Sequence, residues 1–399
     1  MKQTTVSPSP RRVDVPSEFG RVVVIGGCGA IGADFVTAVA PFFDISVIDR
    51  DVEKVRLWRD RWAQYPALNV KDVSCSYEAL RGADVVVVTI GTEGPEGVTR
   101  GSLFELIEQI ASFLTDSQLV ILRTTIDPGT TRRLMSIADT IAPSELDVVV
   151  APERSLEGAV ERELLTIPQL LGGPARAVDR AERFFSTMGV DVIRLPDWES
   201  AELAKLICNG YRYMSFQLAN HFEMLASEYD CSYDAIRHAV QRDYPRAYGL
   251  SAAGLVGGPC LPKDTRMLSD ATPDGMVDLA AAATAISDEY EAWVADRIER
   301  RLMGLRERTI GVLGMGFKAG SQDRRASRSI WLAERLAAGG AVVVELDGVE
   351  QARDVPMDCL VDVFGMTETG YLPTTRAGTP AAVYVIGVGW RSGPGSRDD

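Results

Sequence analysis

Apolar residues fall in short runs, each stopped by glycine, proline or acid, with amphipathic stretches between them. RVVVIGGCGAIGADFVTAVAPFFDISVIDR (21–50) predicts a strand, a glycine turn, a helix and a second strand. Further apolar runs end in turn residues: ADVVVVTIGTEG at 83–94, QLVILRTTIDPGT at 118–130 and LDVVVAPER at 146–154. Helical patterns such as GSLFELIEQIASFLT alternate with them. All-apolar strands alternating with helices predict a parallel sheet covered by helices. Near Pro196 the pattern changes. From about Glu199 to Glu228, ESAELAKLICNGYRYMSFQLANHFEMLASE predicts one helix interrupted only by Gly210. Its length of roughly 45 Å suits a connector or a dimer core. A second helical stretch covers about Asp278 to Leu305, then TIGVLGMGFKAG (309–320) restarts a strand and glycine turn, and AVVVELD (341–347) adds a strand.

Composition narrows the classes. The chain has 399 residues, too many for one ordinary core. Its net charge of -14 argues against nucleic acid as a partner. MKQTTVSPSPRRVDVPSEFG has no apolar core segment, so no signal peptide is expected, and no apolar run is long enough for a membrane span. Six cysteines without CxxC pairing suit reduced thiols in the cytoplasm, and no metal site is expected. Only two histidines, His221 and His238, could serve as a histidine base.

Gly27, Gly29 and Gly32 form G-x-G-x-x-G between the strand VVVI and a helix. Such glycines let a pyrophosphate approach backbone amides at a helix N-terminus. Asp49 ends the next strand, where a carboxylate accepts hydrogen bonds from a ribose diol and repels a 2'-phosphate. NAD is therefore the expected cofactor, with neighbouring Arg50 leaving NADP open. The expected fold class is α/β: a Rossmann-like N-terminal domain, a central helical domain with one long helix, and a smaller Rossmann-like C-terminal domain. The expected bounds are a flexible arm at 1–19, then domains at 20–198, 199–305 and 306–399, the last ending in a disordered tail.

Several groups could carry chemistry. Lys205 and Asn209 lie four residues apart, on one helix face, where ammonium and amide could hold an oxygen that changes charge. A solvated lysine and a surface asparagine are the plain alternative. PERSLEG (152–158) sets Glu153 and Glu157 after an apolar strand, and RTTIDPGT sets Thr124 and Thr125 after another. Loops at the carboxyl ends of parallel strands are where such folds keep ligands. Thr125 could orient water or satisfy local backbone. GLVGGPCLPKDT (254–265) places Cys260 among glycines and prolines that break any helix or central strand.

In this order, these motifs resemble the UDP-glucose/GDP-mannose dehydrogenase family, over about residues 20–347. The most specific element is GGPCLPKDT, with Lys263-Asp264 following Cys260. The resemblance implies NAD at the glycine turn and Asp49, with Thr92, Thr124, Lys263 and Arg325 also at the cofactor. It implies Cys260 as nucleophile with Asp264 as companion, and Glu153 as catalytic carboxylate with Thr125 and Glu157 nearby. Lys205 and Asn209 match the family's central-helix pair. Gly254, Gly257, Phe317 and Lys318 are implied at the substrate, together with Glu153, Lys205 and Asn209. Arg246 in YPRAYGL matches an arginine that reaches a partner subunit's substrate, and a homodimer through the central domain is implied. Glu93, Asp127 and Gln322 depart from the pattern. After Asp347, DGVEQARDVPMDCLVDVFGM passes quickly to what reads as the final strand, so the resemblance implies a truncated C-terminal domain at 306–399 that lacks an intervening segment, and TETGYLPTTRAGTPAAVYVIGVGW matches nothing in the family.

The activity so implied is oxidation of the C6 alcohol of a nucleotide sugar, a UDP-hexose by expectation, to the uronic acid. Four electrons leave, hence two hydrides and two NAD. An aldehyde donates hydride poorly until a thiolate adds to it, giving a thiohemiacetal, then a thioester that water cleaves. Lys205 would help ionise the thiol and, with Asn209, hold the oxyanions. Asp264 would act through a water as base, and Glu153 with Thr125 would direct the hydrolytic water. A single-oxidation hydroxyacid-type dehydrogenase shares the glycine turn and the Lys-x-x-x-Asn helix but needs no nucleophilic cysteine. A non-catalytic nucleotide-sugar binder would be free to lose the thiol or the lysine.

Overall fold

A computed structural model of the chain describes residues 18–91, 93–94, 97–98, 101–142, 145–156, 158–367, 373–377 and 379–391. Most of the expected N-terminal arm and the tail from Ser392 lie outside them. The chain divides into two compact units between Leu206 and Ile207, a division that falls inside one long helix.

The N-terminal unit opens with β1 (Arg21–Ile25), α1 (Ala30–Val39), β2 (Asp44–Ile48), α2 (Val52–Ala63), β3 (Val70–Ser74) and β4 (Val85–Val88). A short ribbon of β5 (Glu93–Gly94) and β6 (Gly97–Val98) precedes α3 (Gly101–Ile110). Then come β7 (Leu119–Leu122), α4 (Thr130–Ile141), β8 (Asp147–Val150), α5 (Val160–Leu164), β9 (Gln169–Gly172), α6 (Ala175–Thr187) and β10 (Val192–Leu195). The sheet order is β10-β9-β8-β7-β4-β1-β2-β3. Its strands pair in parallel except at the β8–β9 junction. Successive side chains of β1 reach opposite faces. Val22 and Val24 pack with Phe35, Val39 and Phe184, and Val23 and Ile25 pack with Leu103, Ile107 and Leu134. Burial on both faces is what lets four- and five-residue strands hold without polar alternation. The order reverses between β1 and β4, which opens a crevice beyond their carboxyl ends.

Helix α7 (Trp198–Ser227) runs on into the second unit, which continues with α8 (Tyr233–Gln241), α9 (Leu261–Asp270) and α10 (Leu279–Leu302). A smaller sheet follows, with β11 (Thr309–Leu313), α11 (Arg328–Ala338), β12 (Val342–Leu346), α12 (Val349–Arg353), β13 (Cys359–Asp362), β14 (Ala382–Val385) and β15 (Gly389–Arg391). Its order is β12-β11-β13-β14-β15, and only β15 runs antiparallel to its neighbour. Among the described residues no helix is long and apolar enough to cross a membrane.

The α/β class, the long helix and the second sheet match the sequence pattern. Two local readings change. Pro262 does not break a helix: it sits in the first turn of α9, where its missing N–H costs nothing, and Cys260 is the N-cap. The run at 359–362 is not the last strand. The unplaced segment supplies β14 and β15, and AVYV is a four-residue run buried in the sheet, too short to stand out beside its Thr-, Gly- and Pro-rich approach.

Candidate active site

The glycine turn links β1 to α1 at the sheet's reversal point. Gly32 is required by space: a Cβ there would lie 2.3 Å from the Gly26 carbonyl oxygen and 2.8 Å from Thr89 Oγ1. Helix α1 opens with no side-chain cap and no acid in its first turn, so its first N–H groups remain available to an anion. Asp49 directly follows β2 and lies against the turn, where Oδ2 accepts from the Cys28 N–H at 3.1 Å and Oδ1 from the Asp51 N–H at 3.1 Å. Burial, then the Asp49 charge, push the Cys28 thiol up to about 12, so it stays an unreactive thiol inside the turn. Glycine cradle, uncapped helix and buried carboxylate together fit NAD.

Thr124 and Thr125 follow β7, and the Thr124 hydroxyl donates to the Ile90 carbonyl at 2.9 Å, tying this loop to the end of β4. Glu202, early in α7, takes the Gly129 and Thr131 amides at 2.6 and 2.8 Å and thereby caps α4 from outside. Glu153 lies beyond β8, buried, and is paired with a residue the sequence did not advertise. Arg123, the last residue before Thr124, donates through Nη2 to Glu153 Oε2, and the Ser155 N–H donates to Oε1 at 2.7 Å. Burial opposes ionisation of Glu153, but the Arg123 charge and the Ser155 amide outweigh it and hold the carboxyl at about 2. Glu153 is therefore an acceptor and a fixed negative charge at neutral pH. Lys205 is buried on α7 in the same unit. Thr92 and Glu157 lie outside the described residues.

The second unit gathers most of the remaining candidates. Cys260 is exposed at the start of α9. One turn on, the buried Asp264 receives Asn209 Nδ2 at 2.6 Å on Oδ2 and Lys263 Nζ at 2.6 Å on Oδ1. Lys263 is thus engaged by its own neighbour rather than extended into solvent. The loop before Cys260 is held at two points. Asn220 on α7 accepts from the Gly254 N–H at 2.8 Å and donates to its carbonyl at 3.1 Å. Gly258 donates to the Ala326 carbonyl at 2.9 Å, and at its φ of +93° a Cβ would lie 2.5 Å from the Phe317 ring. Gly257 and Gly258 therefore rest on the loop that carries Phe317, Lys318 and Arg325. Arg325 forms a forked pair with Asp323, and Lys318 Nζ lies 5.3 Å from the Phe317 ring centre. Arg246 is elsewhere, exposed and stacked on Tyr244, whose hydroxyl accepts from its Nε at 2.9 Å. Neither Arg123 nor Asn220 has a motif of its own, although an arginine closing the apolar run LVIL is a visible oddity.

Residues 20–188 match the NAD binding domain of the UDP-glucose/GDP-mannose dehydrogenase family, and residues 199–288 match that family's central domain. UDP-N-acetyl-D-mannosamine dehydrogenase of Pyrococcus horikoshii is 30% identical over 269 residues, covering 64% of this chain and 63% of that protein. NDP-N-acetyl-D-galactosaminuronic acid dehydrogenase of Ralstonia nicotianae is 28% identical over 251 residues, 59% of each chain. The match thus spans less than two thirds of either relative's length. The solved structure of a UDP-glucose dehydrogenase from Pyrobaculum islandicum shares the fold, with a TM-score of 0.77 at 20% identity over 94% of this chain and 95% of that one.

Proposed function

Because the chain belongs to the UDP-glucose/GDP-mannose dehydrogenase family, we propose that it oxidises the C6 alcohol of a nucleotide sugar to the carboxylate, with Cys260 as nucleophile. The relatives named for UDP- and NDP-linked N-acetylhexosamines make a UDP-N-acetylhexosamine the first candidate substrate, ahead of UDP-glucose. The observation that carries the reading is the exposed Cys260 at the mouth of α9, one turn from an Asp264 clamped by Asn209 and Lys263.

The glycine turn and Asp49 would hold NAD, which supplies the hydride acceptor for both oxidations. Asp264, through a water, takes the proton of the C6 hydroxyl as the aldehyde forms. The Cys260 thiolate then bonds to the aldehyde carbon, and the resulting oxyanion is held by the Asn209 amide and the Lys205 ammonium. Loss of the second hydride leaves a thioester on Cys260. Water adds to its carbonyl, the C–S bond breaks, and Glu153 with Thr125 orients that water. Held near 2, Glu153 is too weak a base to keep the water's proton, so its part is to accept a hydrogen bond and aim the oxygen.

A homodimer through the central helix belongs to the same reading. Ile207, Tyr211, Leu218 and Leu225 are exposed at spacings of four and seven along α7, a spacing that suits a helix–helix seam with a second copy. Beside them a cleft of 470 Å³ is lined by Met214, Leu268, Leu279 and Ile286. The substrate assignment is tested by NADH formation with UDP-N-acetylhexosamines, UDP-glucose, GDP-mannose and a simple 3-hydroxy acid. Turnover of a nucleotide sugar is expected; turnover of the hydroxy acid alone would overturn the reading.

A further inference from the structure

Arg123 is the least expected residue of the N-terminal unit. It closes the apolar strand β7, is buried, and lies over the rings of Phe35 and Phe185, with its carbon 5.0 and 5.9 Å from their centres. Nη1 and Nη2 both donate to Gln169 Oε1 at 3.2 Å, and Nη2 also donates to Glu153 Oε2. The Gln169 amide is turned to present that oxygen, since its Nε2 donates to the Ile167 carbonyl at 2.8 Å. Arg123 Nε is buried and finds no acceptor among the described residues. A buried guanidinium with an unsatisfied N–H is a cost that hydrophobic packing would have avoided. Among the described residues its ion-pair partner is the Glu153 carboxylate.

We propose that Arg123 is a positioning residue for the hydrolytic step: it fixes the Glu153 carboxylate in one orientation, so that Glu153 aims the water that cleaves the Cys260 thioester. The inference rests on the assignment of Glu153 above. In that step the water oxygen bonds to the acyl carbon, the C–S bond breaks, and the released proton passes to the Cys260 thiolate or to solvent. The two hydride transfers do not use Glu153, so a fault at Arg123 stalls the last step alone.

The test uses the full-length protein with NAD and a substrate found by the panel above, following NADH by absorbance, release of the sugar acid by chromatography and the acyl adduct on Cys260 by intact mass. Arg123→Met is expected to slow acid release at least tenfold, build up the adduct, and bring an acidic limb of the pH profile up into the range between 4 and 7. Arg123→Lys keeps the charge and should recover part of the rate. If Arg123→Met folds poorly, Arg123→Met/Glu153→Gln removes both buried charges and completes the cycle. The double variant should then be no slower than Glu153→Gln. Wild-type acid release in both Arg123 variants, or defects that multiply in the double variant, would overturn the inference. Wild-type behaviour of Glu153→Gln would instead retract the assignment on which it stands.

Discussion

Lowering pH should weaken the N-terminal unit in a way traceable to Glu153. Its carboxyl sits at about 2 in the folded protein against an ordinary 4.5. A folded value below the unfolded one stabilises the fold above the unfolded value, and that stability is lost as pH falls from 4.5 towards 2. The difference corresponds to roughly 3 kcal/mol at neutral pH, of which about 2 kcal/mol is gone by pH 3. Other carboxylates titrate too, so the quantity to measure is wild type minus Glu153→Gln, which has no proton to gain at that position. Urea unfolding should be read by hydrogen exchange in peptides from β7 and β8, because the protein has two units and one global transition cannot be assumed. The gap between the two proteins is expected to narrow by about 2 kcal/mol between pH 7 and pH 3. A gap that stays constant with pH would show that Arg123 does not hold Glu153 ionised.

Two further outcomes follow from local geometry. Gly258→Ala places a Cβ 2.5 Å from Phe317 at a positive φ, so the Cys260 loop should be displaced, with a loss of about 1–3 kcal/mol in the second unit; calorimetry showing no shift would contradict this. Under native thiol labelling at pH 7.5, exposed Cys260 should be modified while Cys28 and Cys359, both pushed up to about 12 by burial first, remain unlabelled.

How much could be read from the chain depends on whether the information is local. The glycine turn, Asp49 and the alternation of short strands with helices are local patterns, and the folded chain repeats them. Pro262 was misleading because proline stops a helix interior but suits its first turn, and only the position of Cys260 as N-cap decides between the two. Arg123 and Glu153 are 30 residues apart in the chain and meet because β7 and β8 are neighbours. The hold of Asn220 on Gly254 likewise spans 34 residues between a helix and a loop. No spacing rule predicts such pairs; they follow from strand order and packing. β14 was hidden for another reason: a four-residue apolar run looks the same in a core strand and in a buried turn.

The central claim is that Cys260 carries the oxidation through a second hydride. It is tested most directly by counting NADH formed per nucleotide sugar consumed, for the wild type and for Cys260→Ser. Two NADH per sugar from the wild type, with acid formation lost in the variant, is the predicted result. One NADH per sugar, indifferent to Cys260→Ser, would contradict it.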